Sequence, residues 1–421
     1  MNTSTPIAPA RRSYAVKYAV RDILLVAEQA KQAGRDLLYL NIGDPNKFDF
    51  ATPGHVVEAI CKALRENRNW YAPSEGIPEA LEAIHRQAER QGISAIQDVF
   101  VGSGASECID LALSALVDEG DNVMTPSPGY PLYTAVLGKL GSPENPYFLD
   151  EANGWQPDLA DIAAKINSRT RAIVLINPNN PTGSVCERKT LEGLLELAAR
   201  HDLVVFDDEI YDKLVLGGAP GGFTPRGGSG REDATTDGRQ QHISIASLRP
   251  DVPVLTFNGL SKAYLGPGLR IGWAIMSGPA ARLGELREAI HRFLRARLCA
   301  NSPIQFAIRP ALEGDQGHLV DVRRKLGARR DLTVRSLNAV PGVSCVSPAA
   351  AFYAFPSLQV GEPDETFIPR LIRETGVVVV PGSGFGQRPG TAHFRVVFLP
   401  PEDVLTRAYQ AIADFVRTAR R

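Results

Sequence analysis

Several short runs of this chain are apolar almost without interruption. RAIVLIN at 171–177, LVVFD at 203–207, VLTF at 254–257 and the stretch 271–276 are rich in valine and isoleucine. They lack the apolar–polar alternation of a strand with one wet face. A strand that is apolar at successive positions is covered on both faces, as in a parallel or mixed sheet between helices. The segments 104–116, 187–201 and 279–298 carry apolar residues at three- and four-residue spacing, the period of a helix with one buried face. The alternation predicts an α/β fold: a large domain with a mostly parallel mixed sheet sandwiched by helices.

The last third changes character. A helix pattern at 318–338 is followed by VSCVSPAAAFYAFP, a helix near 367–374, VVVVP at 377–381, HFRVVFL at 393–399 and a helix from 402 onward. Such a mixture predicts a smaller α+β domain. LLYLNIGDP at 37–45 reads as a strand without a partner nearby, so the amino-terminal segment is expected to pack with that domain. The expected division is 1–60 packing with the small domain, 61–305 as the large domain and 306–421 as the small one. Within the large domain, 217–241 is rich in glycine and polar residues and reads as a flexible surface insertion.

Composition excludes several partner classes. Lys+Arg number 46 and Asp+Glu 47, a formal net charge of −1, which gives no electrostatic reason to expect nucleic acid or an anionic membrane. The five cysteines (Cys61, Cys108, Cys186, Cys299 and Cys345) form no C-x-x-C pair, so no metal site is expected and the thiols read as free in a reducing compartment. No apolar run approaches the ~20 residues of a membrane span. The opening MNTSTPIAPARRSYAV lacks the apolar core of a signal peptide. A cytoplasmic protein is expected.

Candidate functional residues gather where the strands end. VGSGASECIDLALSAL follows VFVG, and Gly102 and Gly104 open its helix. Backbone N–H groups at a helix start attract anions, and glycine permits their close approach. The dinucleotide fingerprint fails here, because its third glycine position holds Glu107. NPNNPTG at 177–183 closes the next strand. A rigid turn accounts for its prolines and Gly183; it accounts less well for three asparagines, of which Asn180 stands before a proline. One Asn–Pro bond is a candidate for the cis form, with trans the default. In FDDEIYDKL at 206–214, Asp207 and Glu209 read as turn or cap acids. Asp208 reads as a ligand carboxylate at a strand end, with Tyr211 three residues on. FNGLSKAYLGPGLRIGW at 257–273 places Lys262 after Ser261 and Arg270 eight residues later. An asparagine, an aspartate with a tyrosine, and a lysine with an arginine suit one cofactor together. Pyridoxal phosphate has an aldehyde for a lysine, a ring nitrogen for a carboxylate, a phenolic oxygen for donors and a phosphate for arginine and N–H groups.

The motifs NIGDP, YAPSEGIPEAL, GSGASE, PSPGYPLY, NPNNPTG, DEIYDKL, FNGLSK, GLRIGW, RLCAN and HFRVVFLP occur in one order along the chain. In them the chain resembles the fold-type I, class I/II aminotransferases, bacterial alanine aminotransferases in particular. The resemblance implies that Lys262 bonds pyridoxal 5'-phosphate as a Schiff base and carries the proton during catalysis. It implies that Asp208 pairs with the ring nitrogen, that Asn180 and Tyr211 bind the phenolic oxygen, and that Tyr130 stacks on the ring. Gly104, Ala105, Ser261 and Arg270 are implied to hold the phosphate, with Tyr71 reaching it from the neighbouring subunit of a homodimer. Arg395 and Gly43 are implied to take the substrate α-carboxylate. Arg297 reads either as an exposed helix-end residue or, by the resemblance, as the reader of a second substrate carboxylate.

The implied activity is ping-pong amino transfer between an L-amino acid and a 2-oxo acid, with L-alanine and 2-oxoglutarate giving pyruvate and L-glutamate. Other donors, aromatic ones included, or C–S β-elimination on the same scaffold are the alternatives, since motif spacing does not choose a substrate. The chain departs from the alanine enzymes at 217–241, at Gly266-Pro267-Gly268 and in NIGDPNKFDF.

Overall fold

The apolar runs become the strands of one eight-stranded sheet. The computed structural model describes residues 7–16, 19–217 and 242–419. Positions 218–241, nearly all of the segment read as an insertion, lie outside the described residues.

Helix α1 (Ala19–Gln32) leads to the short strand β1 (Leu38–Tyr39) and helices α2 (Gly54–Arg65) and α3 (Pro78–Arg90). The large sheet follows, from β2 (Ile96–Gly102), β3 (Asn122–Ser127), β4 (Glu144–Asp150), β5 (Gln156–Pro157), β6 (Thr170–Ile176), β7 (Val204–Asp208), β8 (Val254–Gly259) and β9 (Gly272–Ser277). Among these strands run α4 (Ala105–Leu116), α5 (Leu132–Leu140), α6 (Leu159–Lys165) and α7 (Arg188–Arg200), and α8 (Ala280–Ala296) comes after β9. The strand order is β2-β9-β8-β7-β6-β3-β4-β5. β8, β7, β6, β3 and β4 pair in parallel, whereas β9 is antiparallel to both β8 and β2.

Alternation along each strand explains why its sequence is apolar throughout. On β6, Ala172, Val174 and Ile176 join a core with Phe206, Leu255 and Phe257 and with residues of α4, α5 and α8. Ile173 and Leu175 join the opposite core with Val205 and Val254 and with residues of α3 and α7. Successive side chains point to opposite faces, so both helix layers are needed to cover one strand. Each fully buried Val, Leu or Ile contributes roughly 1.5–3 kcal/mol.

Beyond α8, the short helices α9 (Ser302–Gln305) and α10 (Ile308–Glu313) lie on α2 and α3. The carboxyl-terminal part holds α11 (His318–Asn338), β10 (Val343–Ser344), β11 (Tyr353–Ala354), β12 (Ser357–Leu358), α12 (Asp364–Thr375), β13 (Val377–Val378), β14 (Val380–Pro381), β15 (Phe394–Val397) and α13 (Glu402–Ala419). The partner that LLYLNIGDP lacks locally is β13: Leu38 stands opposite Val377 in a parallel pair, and α1 packs on α12. The run VVVVP is two strands rather than one, because β13 pairs with β1 while β14 pairs with β15. Among the described residues no helix is long and apolar enough to cross a membrane, and no cluster of His, Cys, Asp and Glu could hold a metal ion.

Candidate active site

The parallel strands deliver their ends to one edge of the sheet. Ile176 lies opposite Asp208, and Asp208 opposite Phe257. The chain therefore leaves β6 at Asn177, β7 at Asp208 and β8 just before Ser261-Lys262, all side by side. β9 is antiparallel and so begins at this edge, directly after Arg270. β2 ends here too, with Gly102 and Gly259 both opposite Gly272. Asn177–Pro178 and Asn180–Pro181 are both cis, as is Ser127–Pro128, where trans was the expected form for the Asn–Pro bonds.

Above this edge lies a cavity of about 760 Å³. Ala105, Tyr130, Asn180, Asp208, Tyr211, Ser261, Lys262 and Arg270 line it from the large sheet side, and Gly43 and Arg395 from the elements around β1 and β15. Gly104 does not line it but shapes it. As N-cap of α4 it has φ +83°, a conformation that disfavours side chains, and a Cβ there would lie 2.5 Å from Arg270 Nη2. A Cβ on Gly272 would lie 2.1 Å from the Ala105 nitrogen. Arg270 Nη1 donates to the Pro267 carbonyl at 3.0 Å and Nη2 to the Ser103 carbonyl at 3.3 Å. The opening N–H groups of α4, Ser261 and Arg270 thus form a cradle for an anion.

An amine and a carboxylate also line the cavity. Lys262 Nζ donates to the Gly43 carbonyl at 2.9 Å and lies 5.5 Å from the Phe352 ring centroid. Burial lowers its pKa to about 8, helped by the charges of Arg395 and Arg270 and opposed by Asp44 and Asp208. Asp208 is pushed up to about 6 by burial, against the bonds it accepts from the Ile210 N–H at 3.3 Å and the Tyr133 hydroxyl at 3.3 Å. A buried carboxylate held this way gains from a cationic partner. Arg395 is 2% exposed. Its Nη1 donates to Asn180 Oδ1 at 3.0 Å and its Nη2 to the Asn41 carbonyl at 2.5 Å, and its guanidinium lies 4.7 Å from the Tyr353 ring and 4.5 Å from that of Phe385.

Two of the singled-out residues stand away from the cavity. Tyr71 is 82% exposed. Arg297 is turned inward rather than exposed. Its side chain is 14% accessible, its Nη1 lies 3.1 Å from Glu107, and its Nη2 donates to the Ser74 and Val101 carbonyls at 3.1 and 2.6 Å. Asp207 and Glu209 cap no helix, because a turn follows β7. Both are buried. Burial pushes Asp207 up to about 7 and Glu209 well above the usual carboxylate range.

Sequence reasoning passed over Tyr133, Tyr353, Asp44, Asn46 and Thr52. Tyr133 follows Tyr130 by one helical turn, a signal that was available. Tyr353 shares a hydrogen bond of 2.8 Å with the Tyr211 hydroxyl. Its place depends on β11 pairing with β15, where Tyr353 stands opposite Val397, and local pattern does not reveal that. Asp44, Asn46 and Thr52 line the cavity from the segment after β1, and Thr52 is tied to the Leu265 carbonyl at 2.7 Å.

The family described as aminotransferase class I and II matches residues 35–412. The alanine aminotransferase of Mycobacterium tuberculosis (strain ATCC 25618 / H37Rv) is 38% identical over 98% of this chain and 94% of its own length. The glutamate-pyruvate aminotransferase AlaA of Escherichia coli (strain K12) is 35% identical over 98% of each chain. Among solved structures, the alanine aminotransferase from Pyrococcus furiosus superposes with a TM-score of 0.89 at 40% identity, covering 98% of this chain and 100% of that one.

Proposed function

The chain belongs to the class I and II aminotransferases, and from that premise we propose that it passes the amino group of L-alanine to 2-oxoglutarate, giving pyruvate and L-glutamate, with pyridoxal 5'-phosphate as cofactor. The observation that carries this reading is the meeting of Lys262, Asp208, Arg270 and Arg395 around one cavity. The alanine and glutamate–pyruvate enzymes among its relatives support the choice of substrates.

The residues present fit the cofactor. The cradle at Gly104 and Ala105 leaves no room for a Cβ beside Arg270, which suits a phosphate bound by backbone N–H groups, Ser261 and the arginine fork. Asp208, a buried carboxylate lining the cavity, is assigned the ring nitrogen. Asn180 and Tyr211 are assigned the phenolic oxygen and Tyr130 the ring face. Bound there, the cofactor supplies an aldehyde for the lysine amine and a protonated ring that draws electrons from the substrate α-carbon.

The rest is the work of the chain's own groups. Lys262, with its pKa lowered to about 8, keeps a useful neutral fraction near neutral pH and is the group that takes and returns the α-carbon proton. Asp208 holds the proton on the ring nitrogen. Tyr353 fixes the Tyr211 hydroxyl at 2.8 Å. Arg395, flanked by two aromatic rings and bonded to Asn180, takes the α-carboxylate that every donor and acceptor shares, with the Gly43 backbone closing on it. Two copies of the chain complete each site, Tyr71 of one reaching the phosphate held by the other.

A panel of amino donors against 2-oxoglutarate, scored by kcat/KM, tests the reading. Alanine should rank first, with stoichiometric pyruvate. Preference for an aromatic donor would reassign the substrate. Pyruvate and ammonia from cystathionine without any 2-oxo acid would reassign the reaction.

A further inference from the structure

Arg297 sits at the C-cap of α8 and makes its polar contacts outside the cavity. It joins two parts of the molecule. On one side, Nη1 pairs with Glu107 Oε2 at 3.1 Å, and that same oxygen accepts the Ser103 N–H at 2.7 Å. Ser103 is the residue whose carbonyl accepts Arg270 Nη2, and it precedes Gly104 at the start of α4. On the other side, Nη2 donates to the Ser74 carbonyl at 3.1 Å and to the Val101 carbonyl at 2.6 Å. Ser74 belongs to the turn that carries Trp70 and Tyr71, which are 56% and 82% exposed. That turn has further fastenings to the same region. The Val101 N–H donates to the Glu75 carbonyl at 2.7 Å, His291 Nδ1 lies 3.0 Å from Glu75 Oε1, and the Ile77 N–H donates to Gln305 Oε1 at 2.8 Å.

We propose that Arg297 is a positioning residue that couples the two halves of a composite phosphate site. Through Glu107 it holds the Ser103–Gly104 turn in its anion-binding form. Through Ser74 it anchors the turn that offers Tyr71 to a second copy of the chain. The inference rests on the cofactor reading above and assigns Arg297 a role other than that of a substrate carboxylate reader. Its planar fork serves a carboxylate and two carbonyls at once. A lysine, a single point charge, serves fewer of them.

The test compares the Arg297→Met, Arg297→Lys and Glu107→Gln proteins with the unaltered one. Equilibrium binding of pyridoxal phosphate to the apo-protein is followed by fluorescence, the dimer dissociation constant by sedimentation, and KM for 2-oxoglutarate at saturating cofactor by kinetics. Arg297→Met should weaken cofactor binding roughly ten- to a hundredfold, as for loss of a hydrogen bond to a charged group. It should also loosen the dimer, with KM for 2-oxoglutarate unchanged. Arg297→Lys should recover part of both losses, and Glu107→Gln should weaken cofactor binding more than dimerisation. Cofactor affinity equal to that of the unaltered protein in folded Arg297→Met overturns the inference, as does a raised KM for 2-oxoglutarate with intact cofactor affinity. If Arg297→Met does not fold, unaltered affinity in both remaining variants overturns it equally. Failure of the underlying cofactor reading looks different, since the unaltered protein itself would then bind no pyridoxal phosphate.

Discussion

Replacing Arg395 with alanine should damage every substrate to a similar degree. Arg395 is 2% exposed, so its charge has already left water, and its fork is held by Asn180 Oδ1 at 3.0 Å and the Asn41 carbonyl. A substrate carboxylate arriving there meets an oriented, desolvated partner. Truncating one member of such a buried pair costs about 3–5 kcal/mol, which is roughly two to four orders of magnitude in kcat/KM. The loss should fall mainly on KM, and equally for alanine, glutamate and both 2-oxo acids, because all share the α-carboxylate. A second effect follows from charge. Arg395 is, after burial, the main influence lowering the Lys262 pKa to about 8. Its removal must move that pKa upward, towards the ordinary lysine value. Capture of the cofactor by the apo-protein needs the neutral amine, so its rate rises with pH through the Lys262 pKa, and the inflection should lie at higher pH in the variant. Arg395→Lys, which keeps the charge and loses the fork, should retain the inflection while KM still rises. Steady-state kinetics at saturating cofactor and stopped-flow capture between pH 6 and 10 measure both. A loss confined to one donor, or an inflection that stays put in Arg395→Ala, would refute the reasoning.

Three further outcomes are expected. Borohydride reduction of the holo-protein followed by peptide mapping should mark Lys262, and Lys262→Ala should take up no label; a mark on another lysine would sink the assignment. Gly104→Ala should destabilise the fold by roughly 1–3 kcal/mol for its backbone alone, since φ +83° with ψ 162° is a region essentially reserved for glycine, and weaken cofactor binding further, because its Cβ would lie 2.5 Å from Arg270 Nη2; equilibrium titration decides, and unchanged affinity counts against the cradle. Asp207→Asn should flatten the pH dependence of stability. The folded pKa of Asp207 is raised from 3.8 to about 7, so the folded state holds the proton more tightly than the unfolded one. Its contribution is then full below about pH 4 and is lost as pH rises towards 7, on the order of a few kcal/mol. Urea unfolding at several pH values should show the natural protein weakening across that window and the variant less, the raised Asp208 and Glu209 carboxyls keeping their share. Parallel curves would dismiss the effect.

Much of the fold was legible because its signals are local. The helix read at 318–338 is His318–Asn338, and the strand read at 171–177 is Thr170–Ile176, shifted by one residue. That Lys262, Asp208 and Asn180 meet at one cavity was legible because each lies at or a few residues beyond the end of a strand, and neighbouring parallel strands end on one edge. What stayed hidden depends on pairings between distant segments. β1 takes β13 as its partner, Tyr353 reaches Tyr211 through the pairing of β11 with β15, and VVVVP divides because its two halves pair with different strands.

The charged residues show the same limit more sharply. Asp207 and Glu209 after a strand read as turn or cap acids, since spacing carries no information about what covers the turn; in the fold both are buried, and burial raises both carboxyls above the usual carboxylate range. Arg297 at the end of α8 reads as a solvated charge for the same reason. It is drawn inward by Glu107, Val101 and Ser74, residues that meet it only because β2 lies beside β9 and α8 packs on α4. The chemistry of a charged side chain is therefore set by sheet order as much as by its motif. A motif can name the residues that grip a ligand, whereas the residues that hold those grips in place become visible only when the strands are in register.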